Sequence, residues 1–347
     1  MHKVAQLSEK DRSELFRETA AQKGMTAAIA EKDFWVTFVL DKIFSDASLS
    51  AVLMFKGGTS LSKVYGLIER FSEDIDLILD WNLLTEHDPK LERSRRQQEK
   101  LNKEINEKAK EYIAGSLLKR LQNCLGEICS ATVDEDDDFV INVRYPSAFD
   151  KAYLRPEIRL EIGPLAEWMP NEKHQVISYA AEVFPNLFEH PVCEVPTILA
   201  ERTFWEKVTI LHQEAHRPAG SPQPPRYSRH YYDLAMMANS PIKNKALERI
   251  ELLEQVVAFK KRFYPRGWAN YDAAKPGTLK LLPSEEIEKI LRQDYKKMRE
   301  MIYGNYPAFD EILATLKKLQ RRYKRIVSGF LTAPLPAGKC HSLKPFI

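Results

Sequence analysis

Four cysteines in 347 residues are too few to staple a chain of this size, and Cys124 and Cys129, five apart, lack both metal-ligand spacing and a nearby histidine. With Cys193 and Cys340 they fit a reduced, cytoplasmic setting. No apolar run approaches ~18 residues, so no bilayer span is expected. The opening Met1-His2-Lys3-Val4 passes directly into charged sequence, without the apolar region of a signal peptide. A strong charge of one sign is also missing: the formal net charge is +3, which by itself does not indicate nucleic acid. No fixed-period repeat is visible, which excludes a solenoid, and neither Gly-x-Ser-x-Gly nor a dinucleotide fingerprint occurs. Walker-type phosphate binding wants a glycine before its lysine, but Ser62 precedes Lys63. In His212-Gln213-Glu214-Ala215-His216, Gln213 stands where a zinc protease has its glutamate, so the segment reads as a helix end.

Hydrophobic residues at 44% and charged ones at 29% describe a globular chain able to bury a core, in two domains at this length. The first fifty residues read as helical, with apolar residues at helical spacing from Ile29 to Ile43. A strand over Ala51 to Phe55 breaks at Gly57-Gly58, a helix from about Thr59 to Arg70 follows, and Asp74 to Leu79 is a second strand. Residues 90–125 are a charge-rich helical region; Lys90 to Arg120 holds ten Lys/Arg against five Glu. The acidic run Asp134 to Asp138 is an exposed loop, and Phe139 to Tyr145 and Glu157 to Ile162 alternate like strands. From Pro196 the pattern is helical, with a helix over Leu199 to His212 and amphipathic helices over 244–263, 284–303 and 307–327. Four prolines and a glycine between Arg217 and Arg226 make that segment a surface loop. Residues 1–195 thus form a mixed α/β half and 196–330 a helical half, with 331–347 a tail.

The most informative stretch is Phe55-Lys56-Gly57-Gly58-Thr59-Ser60-Leu61-Ser62-Lys63, followed by Phe71-Ser72-Glu73-Asp74-Ile75-Asp76-Leu77-Ile78-Leu79. Side chains two apart on a strand project together, about 7 Å apart along the backbone. Asp74 and Asp76 therefore share a face, with Ile75, Leu77 and Leu79 packed behind. Two carboxylates on one apolar strand repel unless a cation joins them, and oxygen ligands suit Mg²⁺ or Mn²⁺. Gly57 and Gly58 let a phosphate approach the backbone, the following helix offers N–H donors, Thr59 and Ser60 add hydroxyls, and Lys56 or Lys63 adds positive charge. Each half is weak alone; together, sixteen residues apart from Gly58 to Asp74, they describe a site for a metal-bound triphosphate.

Gly57-Gly58-Thr59-Ser60 followed by Arg70-Phe71-Ser72-Glu73-Asp74-Ile75-Asp76-Leu77 resembles the first motif of DNA polymerase β-like nucleotidyltransferases, and more narrowly of the AbiEii/AbiGii abortive-infection toxins. Glu31 to Thr37, Lys207, Arg229-His230-Tyr231-Tyr232-Asp233-Leu234, Asp294-Tyr295 and Met298 to Met301 extend the resemblance over roughly residues 15–325. It implies an α+β fold, a polymerase β-like mixed sheet with flanking helices, whose helical domain at 196–330 completes the active site. It also implies a third carboxylate. Arg159 and Glu161 alternate onto one face, and Glu161 is the choice as metal ligand and acceptor of the nucleophile's proton, with Glu157 as fallback. Lys207 matches the residue that grips the nucleotide's phosphates. Asp233 matches the last motif and is expected to orient Lys207 or the nucleotide, with Arg229 on phosphate or RNA, although Arg229 and Asp233 could form a local ion pair. His230, where relatives carry Asp, is given no catalytic duty.

The implied activity is that of a toxin, of the toxin–antitoxin or phage-defence type, which moves NMP from NTP onto RNA, tRNA foremost. Its antitoxin would be a separate protein, often a winged-helix DNA-binding one. A tRNA would use the basic 90–120 region, Arg226, Arg229 and Lys260-Lys261-Arg262. Nucleotidylation of a protein and a catalytically silent binding module are the alternatives.

Overall fold

The computed structural model describes residues 1–72, 74–149 and 157–332, with side chains through Tyr323. Glu73, Cys340 and most of the expected tail lie outside the described residues. Seven strands form one mixed sheet in the order β3-β4-β5-β2-β1-β7-β6. They are β1 (Leu53–Lys56), β2 (Asp74–Leu79), β3 (Ser130–Val133), β4 (Val140–Arg144), β5 (Glu157–Gly163), β6 (Asn171–Ile177) and β7 (Val192–Ile198). β1 runs antiparallel to β2, while β2 and β5 are parallel neighbours.

The sheet's two faces divide as alternation demands. Leu53, Phe55, Ile75, Leu77 and Leu79 enter one core with the helix Ala27–Ser45 and with the helical stretch 95–125. Thr26 starts the first of these helices by accepting from the Ile29 N–H, and Ser94 with Gln97 closes a capping box at the start of the second. Met54, Ile78 and Ile198 point the other way into a small cluster with Ala166 and Trp168. That opposite face also carries Lys56, Asp74, Asp76 and Glu161, and the C-terminal half is brought against it.

That half is helical: Ala200–Glu214, Ser228–Ala238, Ile242–Glu248, Glu251–Phe263, Glu285–Lys297 and Phe309–Thr332. They enclose a second core around Trp205, Tyr231, Tyr232, Leu316 and Tyr323. The chain just before β2 is stitched to it. Phe71 N donates to Met301 O at 2.6 Å, Tyr303 N to Glu69 O at 3.1 Å, and Arg70 bridges to Ile302.

Several elements differ from the sequence expectation. The helix after the double glycine ends at Lys63 rather than Arg70, because Gly66 takes a left-handed conformation (φ 58) and turns the chain away. Residues 196–198 belong to strand β7, so helical structure begins at Ala200. The expected helix over 244–263 is two, interrupted at Arg249, whose backbone is not helical. β3, β6 and β7 were not anticipated. Residues 217–226 hold neither helix nor strand, as their prolines dictate, and no described helix is long and apolar enough to cross a membrane.

Candidate active site

Strand register assembles the first part of the site. Lys56 faces Asp76 across β1 and β2, and Asp76 faces Glu161 across β2 and β5, so the three form one row on one face. Asp74 pairs with Arg159 one step along the same face. Glu161 reaches solvent, yet burial, then Asp76 and Asp74, push its pKa up to about 7. Three carboxylates crowd one site and ask for positive charge. Part of it is Lys56: burial would lower its pKa, but Glu206, Asp76, Tyr264 and Glu161 outweigh that and hold it raised.

The glycine turn is built against this row. Gly57 has φ 79, and a Cβ there would overlap the Asp76 carboxylate; a Cβ on Gly58 would crowd the Arg70 guanidinium and Ser72. The Thr59 hydroxyl donates to the carbonyls of Asp74 and Ser72, clipping the helix to the start of β2, and Ser60 Oγ donates to Gly57 O at 2.8 Å. Both hydroxyls, expected on phosphate, hold the turn in shape. Lys63, also expected on phosphate, ion-pairs with Asp33 at 2.6 Å and lies over the Tyr179 ring. Asp33 in turn accepts from the Tyr179 N–H at 2.7 Å, so Lys63 ties the turn to the N-terminal helix.

The second part comes from the helical half. Asp233 has none of its surface exposed and accepts from Arg70 Nε at 2.7 Å, Arg70 Nη2 at 2.9 Å and Lys207 Nζ at 2.7 Å. Burial alone would raise its pKa, but Arg70 and Lys207 overcome this and hold the carboxyl well below the usual range. Lys207 is thus buried and held by Asp233. It also reaches His230 Nδ1 at 3.2 Å, and burial, with Lys207 beside it, keeps that imidazole neutral. The local Arg229–Asp233 pair does not form, because Arg70, 163 residues away, takes its place. Arg229 instead lies close enough to Glu161 to oppose the rise of its pKa. Glu157 faces Arg144 at 3.7 Å, and Arg159 is held by Asp134 at 2.8 Å.

Two participants, Arg70 in its ion-pairing role and Glu206, were not read from the sequence, and Lys260, expected on RNA, lies against one of them. Arg70 sits in the quoted motif, but nothing local pointed to Asp233. Glu206 lies one residue before Lys207, and Lys260 donates to the Glu206 carbonyl at 3.4 Å. Burial, then Lys56, Arg266 and Lys207, bring the Lys260 pKa down to about 7 despite Glu206. His212 is a core histidine: Nδ1 accepts from the Lys280 N–H at 3.1 Å and Nε2 meets Asn270 O at 3.0 Å, leaving no nitrogen for zinc.

The donor set Asp74, Asp76 and Glu161 suits a hard divalent cation, being all-oxygen, mutually repelling and on adjacent strands. Among the described residues, however, no group of three His, Cys, Asp or Glu side chains is already gathered closely enough to hold one, so an ion would have to draw these carboxylates together.

The sequence model of one family, described as nucleotidyl transferase AbiEii toxin of a type IV toxin–antitoxin system, matches residues 39–315. The chain belongs to this family and is a nucleotidyltransferase. Membership implies a nucleoside triphosphate as substrate and a cognate antitoxin as partner. Among solved structures, the chain is similar to MenT4, a nucleotidyltransferase toxin from Mycobacterium tuberculosis H37Rv. The two share 16% identity over 93% of this chain and 99% of that one, at a TM-score of 0.42, too low to bear on the site. No curated protein matches.

Proposed function

We propose that this toxin transfers a nucleoside monophosphate from an NTP to a hydroxyl of an RNA acceptor, tRNA foremost, releasing pyrophosphate. The observation that carries the reading is the in-register row Lys56–Asp76–Glu161 with Asp74 beside it and Arg229 close to Glu161. Asp74, Asp76 and Glu161 would hold Mg²⁺ or Mn²⁺. When bound, the cation supplies charge neutralisation at the triphosphate and activates the attacking oxygen. Lys207 and Arg229 bind phosphate oxygens, and Asp233, itself anchored by Arg70, aims Lys207. Lys56 balances the carboxylate row, and Gly57 and Gly58 let the substrate come close to the backbone.

An RNA acceptor is favoured by a surface groove of about 900 Å³ between residues 92–99 and 258–272. Arg93, Arg95, Lys261, Arg262 and Arg266 line it against Glu92, Glu99 and Asp272. Five cations against three carboxylates suit a polyanion. Incubating the protein with labelled NTPs, Mg²⁺ and either total RNA or total protein separates the acceptors. Label should enter RNA with the wild type and not with Asp76→Asn. Label entering only the protein pool would replace the RNA reading with protein nucleotidylation.

A further inference from the structure

The helix Phe309–Thr332 buries Leu316, Leu319 and Tyr323 in the second core. Gln320 faces inward with them, its Oε1 accepting from the Leu281 N–H at 2.7 Å. Helical periodicity then puts Lys317, Lys318, Arg321 and Arg322 on the opposite side, and all four are exposed. Among the described residues none of the four has an ion-pair partner. Cations on other surface helices are neutralised by neighbours: Arg95 by Glu99 at 2.8 Å, Lys108 by Glu104 at 2.8 Å and Arg292 by Glu288 at 2.6 Å.

The stripe does nothing for its own helix. Lys317 with Arg321, and Lys318 with Arg322, set like charges four residues apart, where they repel and weaken a helix. The helix dipole does not favour them either, because it rewards cations in the last turn and this helix runs on to Thr332. The charges therefore serve something outside the chain. The stripe also adjoins the basic groove. Next to Leu281, the Lys280 N–H donates to His212 Nδ1 at 3.1 Å, His212 Nε2 meets Asn270 O at 3.0 Å, and Asn270 lines the groove.

We propose that the outward face of this helix docks the sugar–phosphate backbone of the RNA acceptor. The inference rests on the RNA reading above and adds a second surface, beside the groove, that holds the body of a folded acceptor. Through Tyr323 the helix exposes no large apolar side chain, only Asp310, Glu311, Ala314 and the four cations. A protein partner would want an apolar or aromatic centre, and lysine is depleted at such interfaces. A helix lying in a bilayer surface needs its apolar face free, but here that face is buried in the core. A phosphate backbone asks only for unpaired cations.

The test titrates the full chain, at several salt concentrations, with labelled full-length tRNA and with a short oligonucleotide of the tRNA 3′ end. Combining Lys317→Gln, Lys318→Gln, Arg321→Gln and Arg322→Gln should weaken tRNA binding at least about tenfold. It should also flatten the log–log salt slope by about 3, since each lost phosphate contact removes about 0.7–0.9. Oligonucleotide binding should stay within about twofold of wild type, and in transfer assays KM for tRNA should rise while kcat holds. The melting temperature should stay or rise, because the repulsion along the helix is gone. Lys317→Arg with Lys318→Arg keeps the charge and should bind tRNA as wild type does. Wild-type tRNA affinity and salt slope in the glutamine variant would overturn the docking surface, while continued transfer to tRNA left the acceptor reading standing. Equal weakening of tRNA and oligonucleotide would overturn it too, placing the effect at the transfer site. Unchanged tRNA binding with lost binding to an acidic polypeptide or to anionic vesicles would overturn it in favour of that partner. A wild type that neither binds nor modifies RNA would remove the acceptor reading and this surface with it.

Discussion

Asp233 accepts three charge-assisted hydrogen bonds with no surface exposed, and Arg70 is 4% exposed, so this cluster has no water to fall back on. Breaking such a buried pair leaves the other charges uncompensated. Asp233→Ala should therefore destabilise the fold by about 3–5 kcal/mol in urea unfolding. A loss under about 1 kcal/mol would mean that Arg70 and Lys207 find other partners. Lys260 gives the pH dependence at this scale. Its folded pKa, about 7, lies below the ordinary 10.5, so across that window the unfolded chain binds a proton that the folded chain does not. Its contribution makes the fold more stable as pH rises from about 7 towards 10.5. Lys260→Met should melt higher than wild type below pH 7, with the gap closing as pH approaches 10.5. An unchanged gap across that range would show that Lys260 does not lose its proton in the folded cleft.

The turn Gly57-Gly58, its helix and strand β2 act as one unit, because the Thr59 hydroxyl joins helix to strand and Gly57 lies under the Asp76 carboxylate. Gly57→Ala meets both an unfavourable φ of 79 and that carboxylate, so Asp76 must move. We expect nucleotide transfer to fall by about 100-fold or more, the scale of losing one preorganised charge contact. The chain should stay folded, as circular dichroism can verify; wild-type turnover would show that the close approach is not needed. Much of this unit was legible in the sequence. The two-residue period of β2 put Asp74 and Asp76 on one face, and the alternation of β5 put Arg159 and Glu161 together. What was not legible came from distant partners. Arg70 looked like a motif flank, and Lys63 a phosphate ligand, until folding brought in Asp233 and Asp33. Strand β6, Asn171–Ile177, is mostly polar and partly exposed, so it gave no hydrophobic alternation, and Pro196 inside β7 disguised that whole strand.

Across the whole molecule, the sheet supplies the carboxylates and the helical half supplies Lys207, Arg229 and Asp233, with residues 69–71 and 301–305 joining the two. Neither half alone holds the site. The most direct measurement is pyrophosphate release with purified NTP, tRNA and Mg²⁺, followed in wild type, in Asp76→Asn and in wild type with excess chelator. The expected result is release matched by nucleotide joined to RNA, slowed by at least about 100-fold in the variant and abolished by the chelator. Equal release by wild type and Asp76→Asn would contradict the claim that this carboxylate row performs the transfer.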